Sequence, residues 1–212
     1  MNSDSAETPV PVRLRERLRQ AAAQQILGAA EQVFAERGIH ATHMADIAAR
    51  AGVAVGTLYN HFEDRDALLR ALAEQRRAEI LQRADECLAQ IDGKPFRAQL
   101  RAFYTALFAD FEQHWQFFMM FMSAESGSKV AQEHARAMQC ELLQRYEILV
   151  ERGRKQRAVR PKVAPLLPTL LLGMSRSLLM RRVLVPAEGP AAQHIDALLD
   201  FILNGVSGKK SP

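Results

Sequence analysis

The sequence predicts an all-α protein of about nine helices: an N-terminal three-helix head followed by a larger helical body. Three observations carry that expectation. Alanine, leucine, arginine, glutamate and glutamine dominate the 212 residues, and all are good helix formers. Glycine (11) and proline (9) are few, so long helices are easily accommodated. Apolar residues recur at helical spacing through most of the chain, and no segment reads convincingly as a strand.

The first helix follows an apolar line from Leu14 through Leu18, Ala22, Ile26, Ala30, Val33 and Phe34. Gly38 stands just beyond it as a C-terminal cap. A short helix over Met44 to Ala51 stops at Gly52, and another covers Val55 to His61. A fourth starts near Asp64, whose carboxylate can cap it, and runs to Leu88 before Gly93 and Pro95. A fifth spans Phe96 to about His114. The apolar segment Trp115 to Met122 follows, broken by Ser123 to Ser128. A long helix then covers Val130 to Lys155, and Arg160, Pro161 and Lys162 form a basic loop. Leu166 to Leu184 and Ala191 to Asn204 are the last two helices. Residues 1–12, rich in Ser, Pro and acids, read as a disordered tail.

Bulk properties exclude several classes. Apolar (48%) and charged (25%) fractions suit a globular protein. Two cysteines, Cys87 and Cys140, cannot build a disulfide framework and fit a reducing cytoplasm. The N-terminus lacks the basic start and apolar run of a signal peptide. Leu166 to Leu172 is too short to span a membrane, so a cytoplasmic protein with no membrane partner is expected. The net charge is +4, yet residues 1–70 carry eight arginines against nine acids. Charge therefore permits nucleic-acid binding without locating it.

The informative segment lies within residues 43–62, where two short helices meet at a glycine turn, the pattern of a helix-turn-helix. Ala48 lets the helices cross closely, and Gly52 gives the turn its backbone freedom. Ile47, Ala51, Val53 and Leu58 fill the wedge, and Tyr59 and Phe62 can lock the pair against neighbouring helices. The second short helix would enter a major groove, presenting Val55, Gly56, Thr57 and Asn60 to base edges. Tyr59, His61 and Arg65 can reach phosphates, with Thr42 and His43 at the start of the preceding helix. A basic arm, Arg13 to Arg19, can add charge.

Around this segment the chain resembles the TetR family of bacterial transcriptional regulators. The resemblance rests on Ile26-Leu27, Ala29-Ala30, Val33-Phe34, Gly38, Thr42, Asp46-Ile47-Ala48, Ala51-Gly52-Val53, Gly56-Thr57-Leu58-Tyr59, His61-Phe62 and Leu68-Leu69. Beyond Leu72 it extends only to length and helix count. It implies a DNA-binding head over 13–68 and a ligand-binding, dimerising body over 69–212. Two positions depart from the family pattern: His43, where Ser or Thr is common, and Ala54, where a capping Ser is common. A missing cap costs about 1 kcal/mol.

The resemblance also implies a small apolar or amphipathic effector, a near-palindromic operator in double-stranded DNA, a homodimer, and repression as the usual outcome. For the effector, the sequence offers Phe103, Phe108, Phe111, Trp115, Phe118, Met119 and Met122, aromatic and methionine side chains suited to an adaptable cavity. The polar candidates beside them are His114, Gln116, His134, Gln139 and Arg145. For the dimer, it offers Leu170, Gly173, Met174, Ser177 and Leu178 on one helix, with Leu198, Phe201 and Ile202 on the next. No cofactor or metal is expected: His40 and His43 lack a partner ligand. No nucleophile–base pair or phosphate loop suggests an enzyme. The rival reading is an interaction or architectural protein with a degenerate DNA-binding head.

Overall fold

The computed structural model describes residues 12–124, 128–185 and 189–205. They form nine α-helices: α1 (Val12–Arg37), α2 (Met44–Ala51), α3 (Val55–His61), α4 (Arg65–Gln90), α5 (Phe96–Gln113), α6 (Trp115–Ala124), α7 (Lys129–Lys155), α8 (Leu167–Leu184) and α9 (Ile195–Asn204). No strand occurs among the described residues. The expected tail lies outside them except for Val12, which already belongs to α1. The last expected helix is split, because Ala191–His194 is a tighter 3-10 turn ahead of α9. There the Ala191 N–H donates to Glu112 Oε1 at 3.1 Å. No described helix is long and apolar enough to cross a membrane.

The chain divides into two compact units, with the division between Leu72 and Ala73 inside α4. The head buries Ile26, Val33, Phe34, Ile47, Ala48, Leu58, Leu68 and Leu69. Full burial of one such large side chain stabilises by about 1.5–3 kcal/mol. The helix ends follow local chemistry. Gly38 and Gly52 both have positive φ (80° and 68°). After α2, the Val53 N–H reaches Ala48 O (3.0 Å) and the Gly52 N–H reaches Ala49 O (3.3 Å), a Schellman closure that only a left-handed residue allows cheaply. At α4, Asp64 Oδ1 accepts from the Ala67 N–H at 2.7 Å, satisfying one orphan donor of the first turn.

The body core joins α5, α7, α8 and α9 through Phe103, Tyr104, Phe108, Tyr146, Leu149, Leu171, Ile195 and Leu199. Its centre is polar but satisfied. Tyr104 Oη donates to Leu171 O (3.2 Å), and Ser175 Oγ donates to the same carbonyl (2.8 Å). Tyr146 Oη therefore donates to Ser175 Oγ at 2.5 Å. Burial pushes the Tyr104 hydroxyl up to about 12 and that of Tyr146 well above the usual tyrosine value, so both remain protonated donors.

Gly153 in α7 has a different use from the turn glycines. A Cβ there would lie 2.7 Å from the Phe96 ring and 2.8 Å from Val159 Cγ2. Gly153→Ala should gain about 1 kcal/mol of helix propensity and lose about 1–3 kcal/mol to overpacking. The expected outcome is a net destabilisation of the order of 1 kcal/mol, read as a lower urea midpoint. A raised midpoint would show that Phe96 yields freely.

Candidate nucleic-acid interface and body cavity

α3 is seven residues long, and Leu58, fully buried, is its anchor into the head. Burial of Leu58 turns the opposite face outward. Val55 is 44% and Tyr59 51% exposed, and Gly56 and Asn60 are exposed beside them. Positions 55, 56, 59 and 60 share one helix face. A Cβ at Gly56 would meet nothing within 4 Å, so this glycine answers no packing demand within the chain. Thr57 and His61 are half-buried at the edges of this face. Ala54 occupies the N-cap with no side-chain hydrogen bond, so α3 lacks the side-chain cap that a Ser there would supply.

Other residues expected at DNA take structural posts. Thr42 is 2% exposed, and its hydroxyl donates to Gly38 O at 2.8 Å. It closes the loop between α1 and α2 and offers no side-chain surface. Arg65 is half-buried, donates to His40 O at 3.2 Å and lies 3.8 Å from Asp66. It pins that same loop. Tyr59 does not lock the helix pair; its exposure leaves that to Leu58. His43 is exposed as the N-cap of α2, and its N–H donates to Asp46 Oδ2 at 3.3 Å. Of the basic arm, Arg15, Arg17 and Arg19 are exposed, while the Arg13 side chain lies outside the described residues.

Two ion pairs tie α1 to α2: Arg50 grips Glu36 with two bonds of 2.9 and 2.7 Å, and Arg37 meets Asp46 at 2.8 Å. These contacts hold the Glu36 and Asp46 carboxyls below the usual range, chiefly through the arginine hydrogen bonds. Gln25 Nε2 donates to Ala51 O at 2.7 Å, filling an open carbonyl at the end of α2. Such long-range partners escape sequence reasoning, because no local period marks them.

The body contains a cavity of about 340 Å³. Phe111 and Phe118 line it, with Phe117 and Phe121 of α6, Ile80 of α4, Leu107 of α5, Leu142 of α7 and Leu179 of α8. Phe103 and Phe108 do not; both are at most 1% exposed inside the core. Trp115 stands behind the wall, edge-on to Phe111 at 5.1 Å. Met119 is half-buried and does not line the cavity, and the Met122 side chain lies outside the described residues. Of the polar candidates, His134 and Gln139 line it. Arg145 instead grips Asp85 at 3.0 and 2.7 Å, and His114 Nε2 accepts from Arg76 at 3.1 Å. Among the described residues no group of three or more His, Cys, Asp or Glu could hold a metal ion.

Seven of the eight residues expected at a dimer surface lie together. Leu170, Gly173, Met174, Ser177, Leu178, Leu198 and Phe201 line one shallow groove between α8 and α9, and Ile202 is half-buried against the body core. Leu170 is 40% and Phe201 47% exposed. Gly173 also borders the cavity.

Residues 26–72 match the family model of bacterial regulatory proteins, tetR family. The head is a TetR-family domain. Over 62 residues the chain is 37% identical to the fatty acid metabolism regulator protein of Bacillus subtilis, a stretch covering 29% of this chain and 32% of that protein. The chain thus spans about a third of such a relative's length. At the level of fold the likeness extends further. FadR of B. subtilis, solved with stearoyl-CoA, superposes with a TM-score of 0.75 at 17% identity, covering 87% of this chain and 99% of its own. The SmeT–triclosan complex gives 0.72 at 24% identity, covering 91% and 99%. The TetR-type head is thus followed by a body that shares the all-α fold of these structures.

His134 supplies a pH signature. Burial, aided by Arg77, lowers its imidazole to about 4 from the ordinary 6.5. The unfolded chain binds this proton between those values and the folded chain does not. The stability it contributes is complete above pH 6.5 and is lost as pH falls toward 4. Thermal melts should therefore show a steeper loss of Tm across that window in the wild-type protein than in His134→Gln. Parallel curves would refute a buried neutral histidine.

Proposed function

We propose that this chain is a DNA-binding transcriptional regulator. In this reading it binds a near-palindromic operator as a homodimer and releases it when a small apolar or amphipathic molecule occupies the body cavity, giving repression in the absence of effector. The observation that carries the reading is the exposed face of α3: Val55, Gly56, Tyr59 and Asn60 stand outward on a helix anchored by one buried leucine. Gly56 has no packing role within the chain, and a groove-bound helix has a use for it, since backbone can then approach the DNA closely. The relatives named above include a fatty-acid regulator and proteins solved with an acyl-CoA and with triclosan. They support an effector in the cavity.

The α8–α9 groove is the surface we assign to dimerisation. Pairing two such grooves about a two-fold axis buries Leu170 and Phe201 and places two TetR-type heads on one site. Effector can release DNA only through differential affinity for two states of the dimer.

Gly56→Ala separates fold from function. No neighbour obstructs the new methyl, and alanine favours helix by about 1 kcal/mol, so stability should hold or rise. Affinity for DNA from the gene's own upstream region, read by fluorescence anisotropy at low salt, should fall at least tenfold. Undiminished binding would remove Gly56 from the interface. A wild-type protein that binds no such fragment at low salt, where phosphate contacts are strongest, would defeat the regulator reading. Phe201→Glu should convert the dimer to monomer in sedimentation and weaken operator binding in parallel. An unchanged sedimentation coefficient would place the dimer surface elsewhere.

A further inference from the structure

The chemistry of the cavity narrows what can fill it. Four phenyl rings, of Phe111, Phe117, Phe118 and Phe121, form much of its wall. They pair among themselves, Phe117 with Phe121 at 4.6 Å and Phe111 with Phe118 at 4.8 Å. Such a wall offers faces and edges to a flat aromatic guest. The volume, about 340 Å³, is near the small end of ligand pockets, which run from about 300 to 1,000 Å³. At the ~30 Å³ that a water molecule occupies, it holds on the order of ten to twenty heavy atoms.

Polar groups are placed with economy. Ser175 borders the cavity, but its hydroxyl proton is committed to Leu171 O and its oxygen receives Tyr146. Arg176, the one formal charge on the lining, is solvent-exposed. The arginines of α4 nearby are paired: Arg76 with Glu79, Arg77 with Glu141, and Arg83 with Asp110. His134 and Gln139 on α7 differ, since neither makes a hydrogen bond among the described residues. The His134 ring packs against Phe121 at 5.1 Å, and burial keeps it neutral down to about pH 4. A neutral imidazole presents one acceptor and one donor nitrogen. It suits an uncharged polar group. An anion there would lose hydration, while Arg77 is already paired with Glu141 and Arg176 is solvent-exposed.

We infer that the cavity selects a small, flat, uncharged aromatic molecule carrying a hydroxyl-type donor, which it gives to His134. The inference rests on the effector reading above and narrows it: a phenol-like guest is preferred over a fatty carboxylate or an acyl-CoA.

Calorimetric titration of the full chain tests this with naphthol, naphthalene, naphthoate, dodecanoate and dodecanoyl-CoA. Naphthol should bind about tenfold more tightly than naphthalene, the worth of one good hydrogen bond, and at least tenfold more tightly than naphthoate. His134→Leu should close the gap between naphthol and naphthalene, and His134→Asn should restore part of it. Circular dichroism checks that each variant folds. Ala135→Phe, which fills the cavity from α7, should abolish naphthol binding. The inference is overturned if dodecanoate or its CoA ester binds more tightly than naphthol, if no probe binds, or if the gap survives in His134→Leu. Operator anisotropy on the same samples keeps the two readings apart. Naphthol binding that leaves DNA affinity unchanged would sink release by effector while the cavity chemistry stands. A tighter acyl ligand that releases DNA would do the reverse.

Discussion

The burial of Leu58 is the constraint on which the head depends. A seven-residue helix has no independent stability in water, where even favourable sequences need about 12–15 residues. α3 therefore exists because Leu58 is buried in the head and because the left-handed residue at Gly52 starts the chain in the right direction. Everything exposed on α3 follows from that one inward side chain. With Leu58 fixed at the bottom, the 100° step of a helix sends Val55, Gly56, Tyr59 and Asn60 outward. Thr42 and Arg65 serve the same end indirectly, by closing the loop that carries α2.

The helices were legible in the sequence because their limits are chemical. Gly38, Gly52 and Gly93 take positive φ at the predicted stops, and Asp64 caps where an acid before an apolar period should. The face of α3 was legible for the same reason. The fates of Thr42 and Arg65 were not. Both are polar residues beside a helix-turn-helix motif, and what commits them is a carbonyl elsewhere in the fold: His40 O for Arg65 lies 25 residues back. Asp46, which could have been read only as a first-turn acid, serves Arg37 of α1 as well.

In the body, the sequence marked an aromatic cluster but could not divide it. Phe103 and Phe108 turn toward Tyr146 and Tyr104 and become solid core, with ring centroids 5.2 and 5.6 Å apart. Phe111 and Phe118 border the cavity. What separates them is the packing of α7 and α8, set by residues far along the chain. The remaining wall comes from those helices, through small or ordinary residues such as Ala135, Leu142 and Leu172, whose types carry no signal of a cavity. The α8–α9 groove could be read because Leu170, Met174 and Leu178 repeat at helical spacing beside Gly173 and Ser177.

That the cavity stays open also has a physical source. An empty apolar space of this size costs its lining the dispersion contacts that closure would supply, so something must hold the walls apart. Long polar side chains do this between α4 and α7. Arg77 reaches Glu141, Arg145 reaches Asp85, and Arg152 reaches Leu88 O at 2.8 Å. Each partly exposed pair adds at most about 1 kcal/mol, so their contribution to stability is small. Their effect is on spacing, because a long arginine bridging to an oxygen on the facing helix separates two helices more than interlocked leucines would. Ile80 of α4 and Leu142 of α7 both line the open space. The Arg77–Glu141 pair also matches positive charge of α4, as Arg76–Glu79 and Arg83–Asp110 do, so it bears on both the spacing and the disfavouring of an anionic guest.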